Sequence, residues 1–244
     1  MNSFLILEAA NLRKEPSVNS EKVGLLSSGV VVHFTETIAS DNRVWIRISE
    51  YNAWTVEENG YHLPDNYKEN DFLKSMIFIL KWEGGYVNDP DDPGGETYKG
   101  VARNLHSSWE GWSIVDSSKR QTGFPANLEH NEDLQDKVKL FYKTKFWDRI
   151  LGDQITDEHV GFAIFDFGVN AGISTSAALA QQVVDVNSDG VVGPTTINAI
   201  NAMNPEHFIA SFTIAKIVRY VAIVNKRPTS RKFFFGWISR AINY

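Results

Sequence analysis

The spacing of hydrophobic and polar positions changes once along the chain, near residue 66. Before that point, short alternating runs recur at Val30-Val31-Val32-His33-Phe34, Val44-Trp45-Ile46-Arg47-Ile48 and Trp54-Thr55-Val56. A period of two marks half-buried strands. Turn-forming clusters separate the runs at Pro16-Ser17, Ser27-Ser28-Gly29, Ser40-Asp41-Asn42 and Glu58-Asn59-Gly60, which predicts a small antiparallel β barrel. After Pro64-Asp65-Asn66 the apolar residues recur at helical spacing: at 73, 76, 77 and 80, at 134, 138, 141 and 142, through 160–167 and through 208–224. The fold class that follows is α+β and multidomain. A small N-terminal barrel over residues 1–66 precedes a mainly α domain over residues 67–244, with the boundary near 64–70.

The first helix of the second domain is predicted to run from Phe72 to Glu83, capped by Asp71 or Asn70 and stopped by Gly84-Gly85. Counting back three, four and seven residues from Glu83 gives Leu80, Ile79 and Met76, so this carboxylate continues the apolar stripe. Partial burial is expected. A helix C-terminus carries about half a negative charge, and desolvation penalises an ionised carboxylate further, so both effects raise the pKa of Glu83. A carboxylic acid held protonated near neutral pH is what protonation of a leaving-group oxygen requires. The plain alternative is a surface Glu at a frayed helix end.

Residues 86–100 follow as a turn-dense stretch carrying Asp89, Asp91, Asp92 and Glu96, and it cannot be helix. Its Pro and Gly residues fix a reversal that can fold Asp92 and Thr97 back toward Glu83. Glycoside hydrolysis needs such a pair of carboxyls, one as acid and one as carboxylate. The second either activates water across roughly 6.5–9.5 Å or attacks directly from roughly 5–5.5 Å. Turn chemistry, or a calcium loop, is the alternative use of the same acids.

Composition narrows the field. With 43% hydrophobic and 22% charged residues and a formal charge of −6, the chain is globular and not disordered. The absence of cysteine excludes disulfide scaffolds, thiolate zinc sites and cysteine nucleophiles. There is no phosphate-binding Gly loop, no H-E-x-x-H, and the six His are scattered without metal spacing, so neither a cofactor nor a metal is expected. Charge is uneven: beyond Glu206 lie seven basic residues and no Asp or Glu, leaving seventeen basic against thirty acidic side chains in the rest. Such a tail can meet nucleic acid or anionic lipid. Its charges alternate with Phe, Ile and Val at helical spacing, which favours a solvated helix face packed on the core; no nucleic-acid partner is expected.

The run Glu83-Gly84-Gly85-Tyr86-Val87-Asn88-Asp89-Pro90-Asp91-Asp92-Pro93-Gly94-Gly95-Glu96-Thr97-Tyr98-Lys99-Gly100 resembles the E-G-G-Y-x-N-x-P-x-D-x-G-G-x-T-x-x-G hallmark of the peptidoglycan muramidases of glycoside hydrolase family 108. The resemblance implies a lysozyme-like fold and cleavage of the β-1,4 bond between N-acetylmuramic acid and N-acetylglucosamine, with Glu83 as general acid. The order of Glu, Asp and Thr also resembles phage-type lysozymes, which makes Asp92 the residue that positions or activates water and Thr97 its assistant. The gap from Asp92 to Thr97 is one residue shorter than in those enzymes, and Asp89 and Asp91 are rivals for the second carboxylate. Tyr86 and Asn88 of the same motif stand as substrate-binding candidates.

Phe165-Asp166-Phe167-Gly168-Val169-Asn170-Ala171-Gly172 resembles the family's D-x-x-V-N-x-G segment. Asp166 and Asn170 lie four apart on one helix face, placed either to hydrogen-bond sugar or, for Asp166, to tie neighbouring helices. Asp185, Asn187, Asp189 and Gly190 match the opening of a calcium loop, yet Thr196 stands where a bidentate Glu is expected. The segment from Asp189 to Thr196 instead resembles the turn of the predicted peptidoglycan-binding region that closes this family's C-terminal half, here at about 173–244. Phe233-Phe234-Phe235-Trp237 in its last helix reads as helix packing. At the other end, Asn11-Leu12-Arg13-Lys14-Glu15-Pro16-Ser17 and Lys22-Val23-Gly24-Leu25-Leu26 resemble bacterial Src-homology-3-like domains, which bind cell-wall peptides; Trp45 and Trp54 serve either such binding or the barrel core.

A two-domain cell-wall lytic enzyme is therefore expected, a monomer whose partner is peptidoglycan. The opening MNSFLILEAANLRK lacks a basic flank and a small-residue cleavage site, and no segment reaches ~18 uninterrupted apolar residues. The enzyme is thus expected to be made in the cytoplasm and to reach the wall by release, as a phage endolysin does, or by a secretion system, without stable membrane insertion.

Overall fold

The structure, a computed structural model, describes residues 2–7, 9–27, 30–63, 71–89 and 92–242, apart from the side chains of Lys81 and Trp82. The expected boundary near 64–70, the Ser28-Gly29 turn, Asn70 as a cap and Asp91 as second carboxylate lie outside the described residues. Two compact units are present, Met1–Phe78 and Ile79–Tyr244.

Among the described residues, the first unit contains seven strands: β1 (Asn2–Ile6), β2 (Ala10–Arg13), β3 (Lys22–Leu26), β4 (Val31–Ser40), β5 (Arg43–Ile48), β6 (Ala53–Val56) and β7 (Gly60–Leu63). They form one antiparallel sheet in the order β3-β2-β6-β5-β4-β1-β7, open between β3 and β7, where a closed barrel was expected. Its two halves nonetheless share one core, because Leu12 and Leu26 join Phe4, Ile6, Phe34, Ile46 and Ile48 in a single apolar cluster. Asp41 and Asn42, with φ of 53° and 57°, supply the type I′ turn that a right-twisted two-residue hairpin needs between β4 and β5. Trp45 is buried in the core, while Trp54 is half-exposed with the Arg47 guanidinium 5.9 Å over its ring.

Helix α1 (Asp71–Glu83) follows, and the division between the units falls within it. The second unit continues with a small antiparallel sheet of β8 (Tyr86–Val87), β9 (Thr97–Tyr98) and β10 (Val101–Ala102). Then come helices α2 (Gly111–Ser118), α3 (Glu132–Tyr142), α4 (Glu158–Ala171), α5 (Ile173–Val183), α6 (Pro194–Ala202), α7 (Pro205–Lys226) and α8 (Arg231–Ile242). The continuous apolar run predicted at 160–167 buries every residue from Ala163 to Gly168, the signature of a helix enclosed on all sides. Asp157 caps α4 by accepting from the His159 and Val160 amides. Phe167 of α4 meets Phe212 and Tyr220 of α7 at ring distances of 5.8 and 6.2 Å. Trp237 of α8 stacks on Tyr220 at 5.2 Å. Of the predicted aromatic cluster in α8, Trp237 is packed, whereas Phe235 is 83% exposed.

Two features of α7 stand out, and the second departs from expectation. By length and composition it is apolar enough to cross a membrane, although Lys216 and Arg219 interrupt its run. Its buried stripe is Phe208, Phe212, Lys216 and Tyr220, spaced by four, so one lysine of the basic tail points inward and not to solvent. Lys216 is 1% exposed; its Nζ makes a long 3.4 Å hydrogen bond to the Ala241 carbonyl and lies 5.5 Å over the Phe212 ring. Burial brings its pKa down to about 7, against the opposing pull of Asp166. Between pH 7 and the ordinary lysine value the unfolded chain holds a proton that the folded chain has released, so stability rises with pH across that window. Lys216→Met removes this linkage. It should raise the unfolding free energy at pH 6 by on the order of a few kcal/mol and by far less at pH 10, as measured by denaturant titration at both pH values.

Candidate active site

The helix that carries Glu83 ends as its sequence requires. Phe72, Met76 and Ile79 are buried along one stripe of α1, and Glu83 stands one turn further on the same stripe, its side chain 23% exposed. Gly84, at φ +69°, takes the left-handed position that terminates the helix, where a residue with a Cβ is disfavoured. The chain then enters a hairpin in which Tyr86 pairs with Tyr98 and Val87 with Thr97, and the Lys99 amide donates to the Gly85 carbonyl at 3.1 Å. Extending that register by one step sets Gly100 opposite Gly84, and the carboxyl of the adjacent Glu83 lies against Gly100.

Lys99 and Gly100, at φ 44° and 76°, form the two-residue turn between β9 and β10, in which Tyr98 pairs with Val101. Here glycine is needed twice, for the backbone and for space. A Cβ on Gly100 would lie 2.4 Å from the Tyr142 Oη and 2.9 Å from Glu83 Oε2. The phenol of Tyr142, buried on α3, donates to the Lys99 carbonyl at 2.9 Å and so pins the turn against the acid. On the other side Arg240 of α8 places Nη2 2.8 Å from Asp166 Oδ1 and 3.9 Å from Glu83 Oε1.

Burial pushes the pKa of Glu83 up; the Arg240 charge opposes this and the Asp166 charge adds to it. The net direction is upward, as expected from sequence. Burial likewise raises the Tyr142 phenol, with the Glu83 charge acting in the same sense, so Tyr142 stays a neutral donor. Arg240 is held firmly protonated, its burial outweighed by Asp166 and Glu83.

The other predicted residues fall in different places. Asp92 is exposed in the hairpin loop, where its Oδ1 accepts from the Gly94 amide at 2.8 Å. Thr97 donates from Oγ1 to the Gly95 carbonyl at 3.0 Å. Asn88 and Asp89 are exposed in the same loop. The Tyr86 hydroxyl donates to Glu96 at 2.8 Å, and Glu96 is ion-paired with Arg103 and Lys119. Arg103 in turn grips Asp116 at 2.7 Å and covers the Trp112 ring at 4.3 Å, so this network ties the hairpin to α2. Asp166 is buried in its pair with Arg240, while Asn170, one turn along α4, is exposed. In the 185–196 loop, Asp189 accepts from the Gln181 amide at 2.8 Å and from the Val191 amide at 2.9 Å, and no acidic or histidine cluster able to hold a metal occurs among the described residues. Sequence reasoning missed Gly100, Tyr142 and Arg240. The first closes the hallmark motif and was legible as its last glycine; the other two lie on distant helices.

Comparison with known proteins decides the family. Residues 76–172 match the family model described as Glycosyl hydrolase 108, and residues 175–242 match the one described as Predicted Peptidoglycan domain. Residues 76–172 belong to the glycosyl hydrolase 108 family. Among solved structures, that titled "Structure of Brucella abortus SagA" is similar at 28% identity with a TM-score of 0.51, covering 70% of this chain and 88% of that one. No curated protein matches. The protein is thus a glycoside hydrolase acting on peptidoglycan, with a β-rich unit ahead of the glycosyl hydrolase 108 region.

Within that region the close approach at Gly100 gives a direct test. Gly100→Ala forces a left-handed alanine, at a cost of about 1–2 kcal/mol, and drives a methyl group against the acid and the phenol. Wall lysis followed by turbidity should fall about tenfold or more, with a lower thermal midpoint.

Proposed function

We propose that the enzyme is an N-acetylmuramidase that cleaves the β-1,4 bond between N-acetylmuramic acid and N-acetylglucosamine, with Glu83 as general acid. The state of Glu83 carries this reading: a carboxyl at a helix C-terminus, largely removed from water, with its pKa pushed up chiefly by burial. Such a group still has a proton to give the glycosidic oxygen at the pH where a surface Glu has lost it. Asp92 is the proposed second carboxylate. It is exposed to solvent water on the hairpin that springs from Glu83, whereas Asp166 is buried and committed to Arg240. Thr97, on β9 of the same hairpin, assists it.

Tyr86 and Asp166 use their polar atoms inside the fold, so sugar contacts fall to the exposed Asn88 and Asn170. Residues 1–66 serve as a wall-binding domain, with half-exposed Trp54 as its aromatic surface, and residues 67–244 as the muramidase. The reaction as drawn uses no cofactor. A monomer made in the cytoplasm and released to the wall, as a phage endolysin is, completes the proposal.

Glu83→Gln keeps the shape of the side chain and removes the acid. Activity on purified sacculi should drop about a hundredfold or more. Mass spectrometry of the wild-type digest should give new reducing ends at muramic acid; freed stem peptides on intact glycan strands would contradict the assignment.

A further inference from the structure

Among the contacts that join the two family-matched regions, one reaches Glu83. Arg240 belongs to the C-terminal peptidoglycan-domain match, at 175–242, yet its guanidinium touches Asp166 and stands beside Glu83, both in the glycosyl hydrolase 108 match at 76–172. We propose that Arg240 is a positioning residue of the active site, bridging Asp166 to Glu83, so that α7 and α8 are an integral part of the catalytic unit and not a separable wall-binding module. This rests on the reading of Glu83 as the acid.

Several independent contacts hold Arg240 in place. The ring of Trp237, one turn before it, stacks on Tyr220 of α7, and Tyr220 packs in turn on Phe167 of α4, the neighbour of Asp166. Ala241 is buried and its carbonyl accepts from Lys216. The guanidinium is thus fixed by α7 and α4 at once, and its fork of donors is suited to hold one carboxylate while facing another. Lysine, a single-point donor, cannot fix both directions.

Among the described residues, the charged and titratable groups around Glu83 are Tyr142 from α3, Asp166 from α4 and Arg240 from α8, with Lys216 and Tyr220 of α7 behind Asp166 and Arg219 beside Tyr220. Arg240 and Asp166 act on Glu83 with opposite sign. Burial is the largest influence and the two charges work against each other beneath it; apart, each would move the acid in its own direction. A merely structural role has no such signature.

The test uses the full-length chain in four forms: Arg240→Gln, Arg240→Lys, Asp166→Asn and, as control, Glu83→Gln. The readouts are the pH–rate profile of wall lysis, binding to purified walls by sedimentation, and circular dichroism to verify folding. The alkaline limb reports loss of the acid's proton. Arg240→Gln should move that limb to higher pH and Asp166→Asn to lower pH, each by roughly half a unit or more, with wall binding unchanged. Arg240→Lys keeps the charge and should leave the limb near the wild-type position while lowering the maximal rate severalfold, which keeps the proposal testable if the glutamine variant fails to fold. A folded Arg240→Gln with wild-type rate and limb, or one that loses wall binding alone, would overturn the positioning role. Lysis retained by Glu83→Gln would instead sink the reading of Glu83 as the acid.

Discussion

An ionised carboxylate at the C-terminal end of a helix meets unpaired carbonyl oxygens, and one withdrawn from water also loses hydration. Glu83 stands where both penalties apply, and the second unit is organised around keeping it there. Two stretches of chain converge on its two oxygens. The Lys99-Gly100 turn, pinned by the Tyr142 phenol, closes on Oε2, and Arg240, anchored to Asp166, stands 3.9 Å from Oε1. Neither would be effective without the helix stop at Gly84, which fixes where the stripe of α1 ends.

The arrangement has a cost in stability. Buried ion pairs repay their desolvation poorly, and Asp166 is held in one close to a second acid, Glu83. Lys216 is a further buried charge site on α7, and burial depresses its ionisation into the neutral range. Hydrophobic residues on these stripes would make a more stable bundle. That α4, α7 and α8 carry Asp166, Lys216 and Arg240 instead is the pattern expected where packing has been compromised to arrange a site. It also joins regions that match two family models into one piece of chemistry.

What could be read from sequence was what short-range periodicity records. The stripe ending in Glu83, the stop at Gly84, the hairpin turn at Asp41-Asn42 and the enclosed helix α4 all follow from spacings of two to seven residues. Strand closure did not follow, because whether β3 and β7 pair depends on the path of the whole sheet and not on either strand. Arg240 lies 74 residues from Asp166, beyond the reach of any local pattern. Lys216 was legible in principle, since it falls on the four-residue stripe of Phe208, Phe212 and Tyr220; reading the tail as one basic face hid it. The acidic loop was correctly seen as a reversal, but spacing alone does not say which carboxylate a fold will bury, and it is Asp166, not Asp92, whose charge bears on Glu83.

The central claim concerns the protonation of one side chain, and carbon-detected NMR of glutamate-labelled enzyme measures it directly, the Glu83 resonance being assigned by its loss in Glu83→Gln. The account predicts a titration midpoint for Glu83 above that of an ordinary solvent-exposed glutamate, in the folded enzyme without substrate. A midpoint at or below the ordinary value would mean that Arg240 outweighs burial, and Glu83 would then be a carboxylate with no proton to give.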